Sequence, residues 1–302
     1  MGNVISNLKF SKKRTQKSKK PQQTKQLEQP EESRELEYYL SNYSTSDIDR
    51  QHLNHFFKKH IFQNNFSAPI EERLIQGGCK VLDAGCGPGT WLLDLATKYR
   101  NSSFFGVDIK PIYPSHIKPN NLEFSEADVL GNLPFPNNEF DFVHLEGMAL
   151  IIKADEWPHV ISELVRVTKS GGYIEIVEYI SPDKNGPMMS ELYNIQTEIG
   201  TKRGMDLALT PHLDEVILLQ PHITEVGKDK RTFVIGPNGG STGSTILDII
   251  LTFITSNMAI ENISKFQGIT KEEYMKKLDK LNEELTNTRP ELSICRFWAK
   301  KN

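Results

Sequence analysis

The residues with the clearest chemical potential lie at positions 81–90, Val-Leu-Asp-Ala-Gly-Cys-Gly-Pro-Gly-Thr. An apolar run leads into Asp83, and three alternating glycines follow it at Gly85, Gly87 and Gly89. Because glycine has no Cβ, the main chain of such a loop can approach a ligand to contact distance. A carboxylate at the strand end can organise the loop and face a ligand ammonium group, directly or through water. We therefore predict a strand, a tight ligand-binding turn and a helix that begins near Gly89.

Two further aspartates each close a short apolar segment downstream, in Gly-Val-Asp at Asp108 and in Glu-Ala-Asp-Val at Asp128. The carboxylate of Asp108 offers acceptor oxygens for both hydroxyls of a ribose. Asp128 can accept a hydrogen bond from an adenine amino group, and the amide of Val129 can donate to a ring nitrogen. With the neighbouring Cys86 and Ile109, these positions predict a pocket for the adenosyl part of S-adenosylmethionine (SAM).

A dinucleotide-binding oxidoreductase is the main alternative, since it also places glycines after the first strand and an acid after the second. Its usual spacing is G-x-G-x-x-G, and here the position of the last glycine holds Thr90. The acids at Asp83 and Asp128 also favour an adenosyl sulfonium over a dinucleotide. A glycine-rich turn without a ligand, flanked by solvated aspartates, remains the structural alternative.

Residues 80–180 resemble a class I SAM-dependent methyltransferase, motif by motif. The segment 83–89 resembles its first motif, Asp108 its second, and Asp128 its adenine-side acid. Phe140-Asp-Phe-Val-His resembles the fourth-strand motif, and residues 164–173, Leu-Val-Arg-Val-Thr-Lys-Ser-Gly-Gly-Tyr, resemble the helix, turn and fifth strand that close the core. The resemblance implies this fold, SAM as the cofactor and methyl transfer as the activity.

A weaker resemblance to the LaeA-like fungal methyltransferases covers more of the chain. It is carried by Asp49-Arg-Gln-His-Leu before the core, by Trp157-Pro, and by residues 171–178, Gly-Gly-Tyr-Ile-Glu-Ile-Val-Glu. Members of that group are associated with the regulation of secondary metabolism or have no assigned substrate. The resemblance therefore implies the fold and the cofactor, and it assigns no methyl acceptor.

The acceptor is expected beyond the carboxyl ends of the fourth and fifth strands, where open α/β sheets place ligands. His144 and Glu146 are the candidate catalytic side chains there: the histidine as a base or as a structural group, the glutamate as a pocket or loop carboxylate. Glu175 and Glu178 lie on one predicted strand, whose side chains alternate between its two faces, so at most some of its acids face the pocket. Lid candidates that could equally pack in the core are Tyr43, His52, His55 and Trp157.

Short apolar runs that alternate with helical patterns predict an α/β fold with a doubly wound, mostly parallel sheet. The predicted strands are Lys80–Asp83, Ser103–Asp108, Leu122–Asp128, Phe140–Leu145 and Tyr173–Glu178, with helices at Trp91–Tyr99 and Trp157–Thr168. One or two amphipathic helices are predicted before the core, ending near Pro69. After it we predict a helix at Met188–Gly204, an extended Ile223–Ile235, helices at Ser244–Ile263 and Lys271–Leu285, and a last strand at Ser293–Lys300.

The amino-terminal segment differs in composition from the rest of the chain. Residues 1–25 carry eight Lys or Arg residues and no acid. The other 28 of the chain's 36 basic residues and all 39 acidic residues lie at positions 26–302, which therefore have a net charge of −11. We predict a disordered basic arm over 1–33 and a methyltransferase domain over 34–302, with a SAM-binding core at 78–180. The acidic body is a poor candidate for nucleic-acid binding.

Met-Gly-Asn-Val-Ile-Ser at the amino terminus fits the N-myristoylation pattern at Gly2. One acyl chain anchors only marginally, and the adjacent basic residues could supply the second membrane signal. Three cysteines without a C-x-x-C pair predict no structural disulfide and no metal site. We expect a cytoplasmic protein, membrane-associated if Gly2 is lipidated, with the nucleus as the alternative location.

Together these features predict a SAM-dependent methyltransferase that acts on an unidentified acceptor, either a small molecule or a protein. The alternative is a non-catalytic regulator that keeps the fold and works through partner proteins. A dedicated base is optional for methyl transfer, because alignment of the reacting atoms alone can supply about 7–11 kcal/mol.

Overall fold

The computed structural model describes residues 44–302. The predicted basic arm, the lipidation pattern at Gly2 and the lid candidate Tyr43 lie outside the described residues. The strands are β1 Lys80–Ala84, β2 Ser103–Asp108, β3 Leu122–Glu126, β4 Phe140–Glu146, β5 Thr168–Asp183, β6 Ile223–Val234 and β7 Glu291–Lys301. The helices are α1 Thr45–Phe62, α2 Glu71–Gln76, α3 Thr90–Lys98, α4 Trp157–Val167, α5 Pro187–Lys202, α6 Leu213–Leu218, α7 Gly240–Ile254, α8 Asn257–Gln267 and α9 Lys271–Asn287. Short 3-10 helices span Leu207–His212 and Pro237–Gly239.

The seven strands form one sheet in the order β3-β2-β1-β4-β5-β7-β6. The first five are parallel, whereas β7 runs antiparallel to both β5 and β6. This arrangement confirms the predicted doubly wound, mostly parallel sheet. Its chain order reverses between β1 and β4, and ligands bind outside the carboxyl ends of the strands at such a point. There Asp83 of β1 pairs in register with Gly106 on one side and with His144 on the other.

Apolar side chains cover both faces of this sheet, which is why the central strands read as nearly continuous hydrophobic runs. Every residue of β4 except the last, Glu146, is buried. On one face, α4 packs Trp157 and Ile161 against the sheet. On the other face, α3 contributes Trp91 and Leu92. Of the two roles open to Trp157 from the sequence, lid or core, it has the core role.

The helices before β7 differ from the prediction in one respect: the single helix predicted over Ser244–Ile263 is wrong. The chain forms α7 and α8 instead, bent by 68° at a short break. The hydroxyl of Ser256 caps the second helix by accepting a hydrogen bond from the Ala259 amide. A serine can start a new helix in this way, which the uninterrupted apolar pattern concealed.

No single helix within residues 44–302 is long and apolar enough to cross a membrane. The bent pair formed by Pro237–Ile254 and Asn257–Gln267 satisfies the length and composition criteria only when its two parts are joined. The short helix α2 is absent from the prediction, in which the amino-terminal helices end near Pro69, before α2 begins.

Candidate functional site

The glycine-rich loop after β1 is held by the carboxylate that ends β2. The Gly87 amide donates to Oδ2 of Asp108 at 2.8 Å, and the Lys110 amide donates to Oδ1 at 3.0 Å. The amides of Gly85 and Cys86 both donate to the Val107 carbonyl, at 2.8 and 2.9 Å. Burial raises the pKa of Asp108 above its ordinary value, and the backbone donors oppose that shift. Each oxygen retains a lone pair with which it can accept from a ligand hydroxyl.

The loop forms a cradle that side chains would fill. A Cβ at Gly87 would lie 2.6 Å from Oε1 of Gln51 on α1, and a Cβ at Gly85 would lie 3.2 Å from Sδ of Met148. Both glycines have positive φ angles, 52° and 75°, which favour glycine. Side-chain-free backbone at the carboxyl end of β1 thus fits an adenosyl group with its methionyl tail.

Asp83 and His144 form a buried pair on the floor of this cradle. Nδ1 of His144 lies 2.8 Å from Oδ1 of Asp83, and the imidazole stacks on the indole of Trp91 with 4.1 Å between centroids. Both side chains line the cavity described below, although each is almost fully buried. The histidine is therefore oriented by a carboxylate and an aromatic face, and its other nitrogen, Nε2, lies 4.0 Å from Oε2 of Glu146.

The third acid, Asp128, lies after the end of β3. The sequence analysis predicts instead that Asp128 is the last residue of that strand. Its Oδ1 accepts from the Leu130 amide at 2.9 Å, which fixes a turn at the cavity wall. Val129 and Ile109 also line the cavity, as does Cys86, whose thiol pKa is raised well above its ordinary value by burial. The cysteine is thus a neutral part of the wall.

Gly89 departs from the predicted set of cofactor contacts, because it does not line the cavity. It begins α3 in the left-handed conformation, with φ 74° and ψ 15°. A Cβ there would overlap the ring of Phe124 on β3, lying 2.7 Å from Cε1. Close packing between the first turn of α3 and β3 is therefore the reason for glycine at this position.

The acceptor side contains a cluster of charged groups, and the sequence interpretation missed its most unusual member. Lys58 of α1 is 4% exposed and forms an ion pair with Glu146 at the end of β4. Burial lowers the pKa of Lys58 to about 7. Nearby, Glu178 accepts from the amides of Met148 and Ala149 at 2.6 and 3.1 Å, and burial raises its pKa to about 8. A buried lysine within a polar helix gives no signal in the sequence pattern.

The two acids of β5 have separate roles. Glu178 lines the cavity, whereas Glu175 points away from it and accepts from the amides of Ser67 and Ala68, each at 2.7 Å. Nε of Arg296 on β7 lies 3.7 Å from the same carboxylate, in a fully buried ion pair. Glu175 therefore anchors the segment between α1 and α2 to the sheet.

Helix α1 covers the cradle and is attached to α3 by polar contacts. Nδ1 of His52 lies 2.6 Å from the Thr90 hydroxyl. Oδ2 of Asp94 lies 2.6 Å from Nζ of Lys59 and 3.3 Å from Nε2 of His55. The hydrogen bond from His55 is the largest cause of the lowered pKa of Asp94, while burial lowers the pKa of His55 itself. The two histidines named as lid candidates thus attach the cover to α3, and His55 also lines the cavity.

Together these elements enclose a cavity of about 470 Å³ at the carboxyl end of the sheet. It runs from the glycine loop, past Asp108 and Asp128, to Glu146 and Glu178, and then on between α5 and α7. Within residues 44–302, no cluster of three or more His, Cys, Asp or Glu side chains has the arrangement of a metal site. The site can therefore be described as an adenosyl-sized cradle that opens into a second compartment.

The fold and this cradle define a class I SAM-dependent methyltransferase. Residues 81–172 match the family model described as a methyltransferase domain, and they contain the glycine loop, the two acids and β4. This part of the chain is accordingly a SAM-dependent methyltransferase domain, with SAM as its cofactor.

Among curated proteins, the chain is 25% identical to the N-methyltransferase verN of Clonostachys rogersoniana, over 87% of this chain and 92% of that protein. It is 25% identical to the N-methyltransferase gliN of Aspergillus fumigatus, over 53% of this chain and 59% of that protein. The secondary metabolism regulator laeA of Aspergillus niger is 34% identical over 101 residues, which is 33% of this chain and 26% of the regulator. The predicted resemblance to the LaeA-like group is confirmed for the core segment.

Proposed function

We propose that this chain binds SAM in the cradle after β1 and transfers its methyl group to a nitrogen of an acceptor held in the adjoining compartment. The observation that carries the proposal is the Asp108 carboxylate, which is fixed by two backbone amides and still offers a lone pair on each oxygen. We assign the ribose hydroxyls to Asp108, the adenine edge to Asp128 and Val129, and the methionyl ammonium to Asp83. The printed names of verN and gliN support nitrogen as the nucleophile.

The cofactor supplies a methyl group on a sulfonium, and the chain supplies alignment. With SAM bound, the acceptor's nitrogen lone pair would form the new bond to the methyl carbon as the carbon–sulfur bond breaks, and that electron pair would stay on sulfur. The proton lost by the nitrogen passes to Glu146 or to water. Lys58 pairs with Glu146 and holds it in place, and an oxygen of that carboxylate can accept the proton. His144 positions Asp83 and is not needed as a base.

Calorimetric titration of the full chain with SAM and with its demethylated product tests the binding step. Two hydrogen bonds to a carboxylate contribute about 3 kcal/mol at the low end. Asp108→Asn should therefore weaken SAM binding by about 100-fold or more. Glu126→Gln, at the exposed register partner of Asp108 on β3, is the matched control and should leave the affinity unchanged. Equal affinities in both variants would refute the assignment.

A regulator that keeps the fold but transfers no methyl group is the alternative, and the match to laeA supports it. That match covers about a quarter of the regulator, whereas verN matches over nearly its whole length, so we favour the enzyme. Incubation with SAM labelled in its methyl group and a cell extract separates the two. Label transfer that is lost in Asp108→Asn indicates the enzyme; SAM binding without any transfer indicates the regulator.

We also propose that the chain contacts membranes through an acylated Gly2 and the basic residues that follow it. The sequence pattern alone supports this location, since these residues lie outside those described. Gly2→Ala should release the protein from the membrane fraction, and unchanged membrane association would refute the lipid anchor.

A further inference from the structure

The compartment beyond Glu146 has an apolar wall. We refer to it as the chamber, defined by two residues of α5 and four of α7: Met189, Leu192, Ile246, Ile249, Ile250 and Phe253. Ile246 and Ile249 are 1% and 4% exposed, so they face the chamber rather than bulk solvent. Leu281 of α9 is fully buried, belongs to the same apolar cluster as Met189, Ile246 and Ile249, and also lines the cavity. The chamber is thus part of the folded interior and not a surface groove.

Polar side chains at the chamber mouth are bonded to one another. The Tyr179 hydroxyl donates to Oδ1 of Asn54 at 2.6 Å, and the hydroxyls of Ser181 and Tyr193 are hydrogen-bonded. Burial raises the pKa of Tyr179, which keeps its hydroxyl protonated. The guanidinium of Arg50 also lines the cavity, 5.2 Å from the centroid of the Phe253 ring, and it is already paired with Asp47. A charged group placed beside the bonded hydroxyls would lose its hydration, at a cost of several kcal/mol. The chamber therefore favours an uncharged, apolar occupant.

Size limits the occupant further. Small-molecule sites span about 300–1,000 Å³, and the whole cavity of about 470 Å³ lies in the lower part of that range. The same cavity also includes the cradle, since Asp108 and Asp128 are part of its lining. What remains accommodates a compact molecule, and α1 and α7, which pack against each other, close the space above it. A folded protein cannot present a side chain there without separating these helices.

We infer that the methyl acceptor is a compact, apolar small molecule, whose body fills the chamber and whose nucleophilic N–H lies at Glu146. The inference rests on the proposed function and specifies its substrate class. Glu146, which pairs with Lys58, lines the cavity at the boundary between the cradle and the chamber, and its carboxyl oxygens can accept a hydrogen bond from that N–H. Apolar contacts in the chamber supply the affinity, and the single polar contact at Glu146 supplies the orientation.

The neutral apolar dye N-phenyl-1-naphthylamine, which becomes fluorescent in apolar sites, tests the chamber directly on the full chain. We expect saturable binding to the wild-type protein. Ile249→Trp fills the chamber and should weaken dye binding by at least about tenfold. Ile75→Trp, at a position on α2 that is 65% exposed, is the matched control and should leave it unchanged. If Ile249→Trp does not fold, Leu192→Trp at the half-buried edge of the chamber replaces it.

Calorimetry with SAM, run on the same samples, keeps this inference separate from the proposed function. SAM binding without saturable dye binding would overturn the apolar acceptor and leave the enzyme intact, whereas dye binding without SAM binding would overturn the enzyme. Dye affinity unaffected by both chamber variants would also overturn the inference, because the dye would then sit elsewhere. Transfer of labelled methyl groups into organic-soluble extract is the expected result; label recovered only in precipitated protein contradicts it.

Discussion

Gly89→Ala provides a direct test of why the glycine loop has its particular sequence. At this position the backbone is left-handed, with φ 74°. The Phe124 ring lies against both Gly89 and Gly106, whose own Cβ would lie 2.7 Å from Cε1 of that ring. Tyr113 stacks on the same ring with 4.7 Å between centroids. The ring therefore has little room to move away from a new methyl group.

The expected loss of stability has two parts. A residue with a Cβ in the left-handed region costs about 1–2 kcal/mol, partly offset by about 0.4–1 kcal/mol from a less flexible unfolded chain. Overlap with a packed ring adds about 1–3 kcal/mol. Gly268→Ala isolates the first part, because Gly268 ends α8 with φ 66° and has open space where its Cβ would lie. We expect Gly89→Ala to be less stable than Gly268→Ala by about 1–3 kcal/mol.

Urea unfolding followed by circular dichroism measures this difference. With a slope of about 3 kcal/mol per molar urea, it corresponds to midpoints separated by about 0.3–1 M. In the double variant Gly89→Ala/Phe124→Leu, the smaller side chain should relieve the overlap. The loss of stability in the double variant should therefore be smaller than the sum of the losses in the two single variants. Equal midpoints for the two single glycine variants, or strict additivity in the double variant, would refute the packing explanation.

Three further predictions concern glutamates, of which Glu178 is buried and Glu146 and Glu284 are half-buried. Because the folded-state pKa of Glu178 is raised from 4.5 to about 8, its contribution to stability is full below pH 4.5 and is lost progressively as the pH rises to 8; in thermal denaturation, Glu178→Gln should therefore lose less stability than the wild type between about pH 5 and pH 8. Identical pH profiles would contradict this shift. Glu146→Gln leaves the Lys58 ammonium buried without its anion, so urea unfolding should show a loss of about 1–3 kcal/mol. Glu284 accepts from two amides at the start of α5, at 2.7 and 3.0 Å, and Glu284→Gln should cost about 1 kcal/mol in the same assay.

The parallel core could be predicted from the sequence because its strands are short, apolar and interrupted by helices. The bounds of β2 agree with the prediction at both ends, and those of β1, α3 and α4 agree to within one residue. β5 is longer than predicted at both ends: Thr168 pairs with Phe140 of β4 at its start, and pairing with β7 continues as far as Asp183 at its end. Pairing with a strand more than a hundred residues away leaves no local pattern.

The acids of the cradle were found because each stands at or next to the end of an apolar segment, and parallel strands bring such ends to one edge of the sheet. Lys58 and the chamber could not be found in the same way. Their positions depend on how α1 and α7 pack against each other and on the 68° bend at the break before α8, after which Ala259 and Ile263 also line the cavity. An uninterrupted helix over the same residues would carry its second half past the cavity. The positions of the residues proposed to contact the acceptor therefore depend on how helices bend and pack. The residues assigned to the cofactor lie instead at the ends of strands.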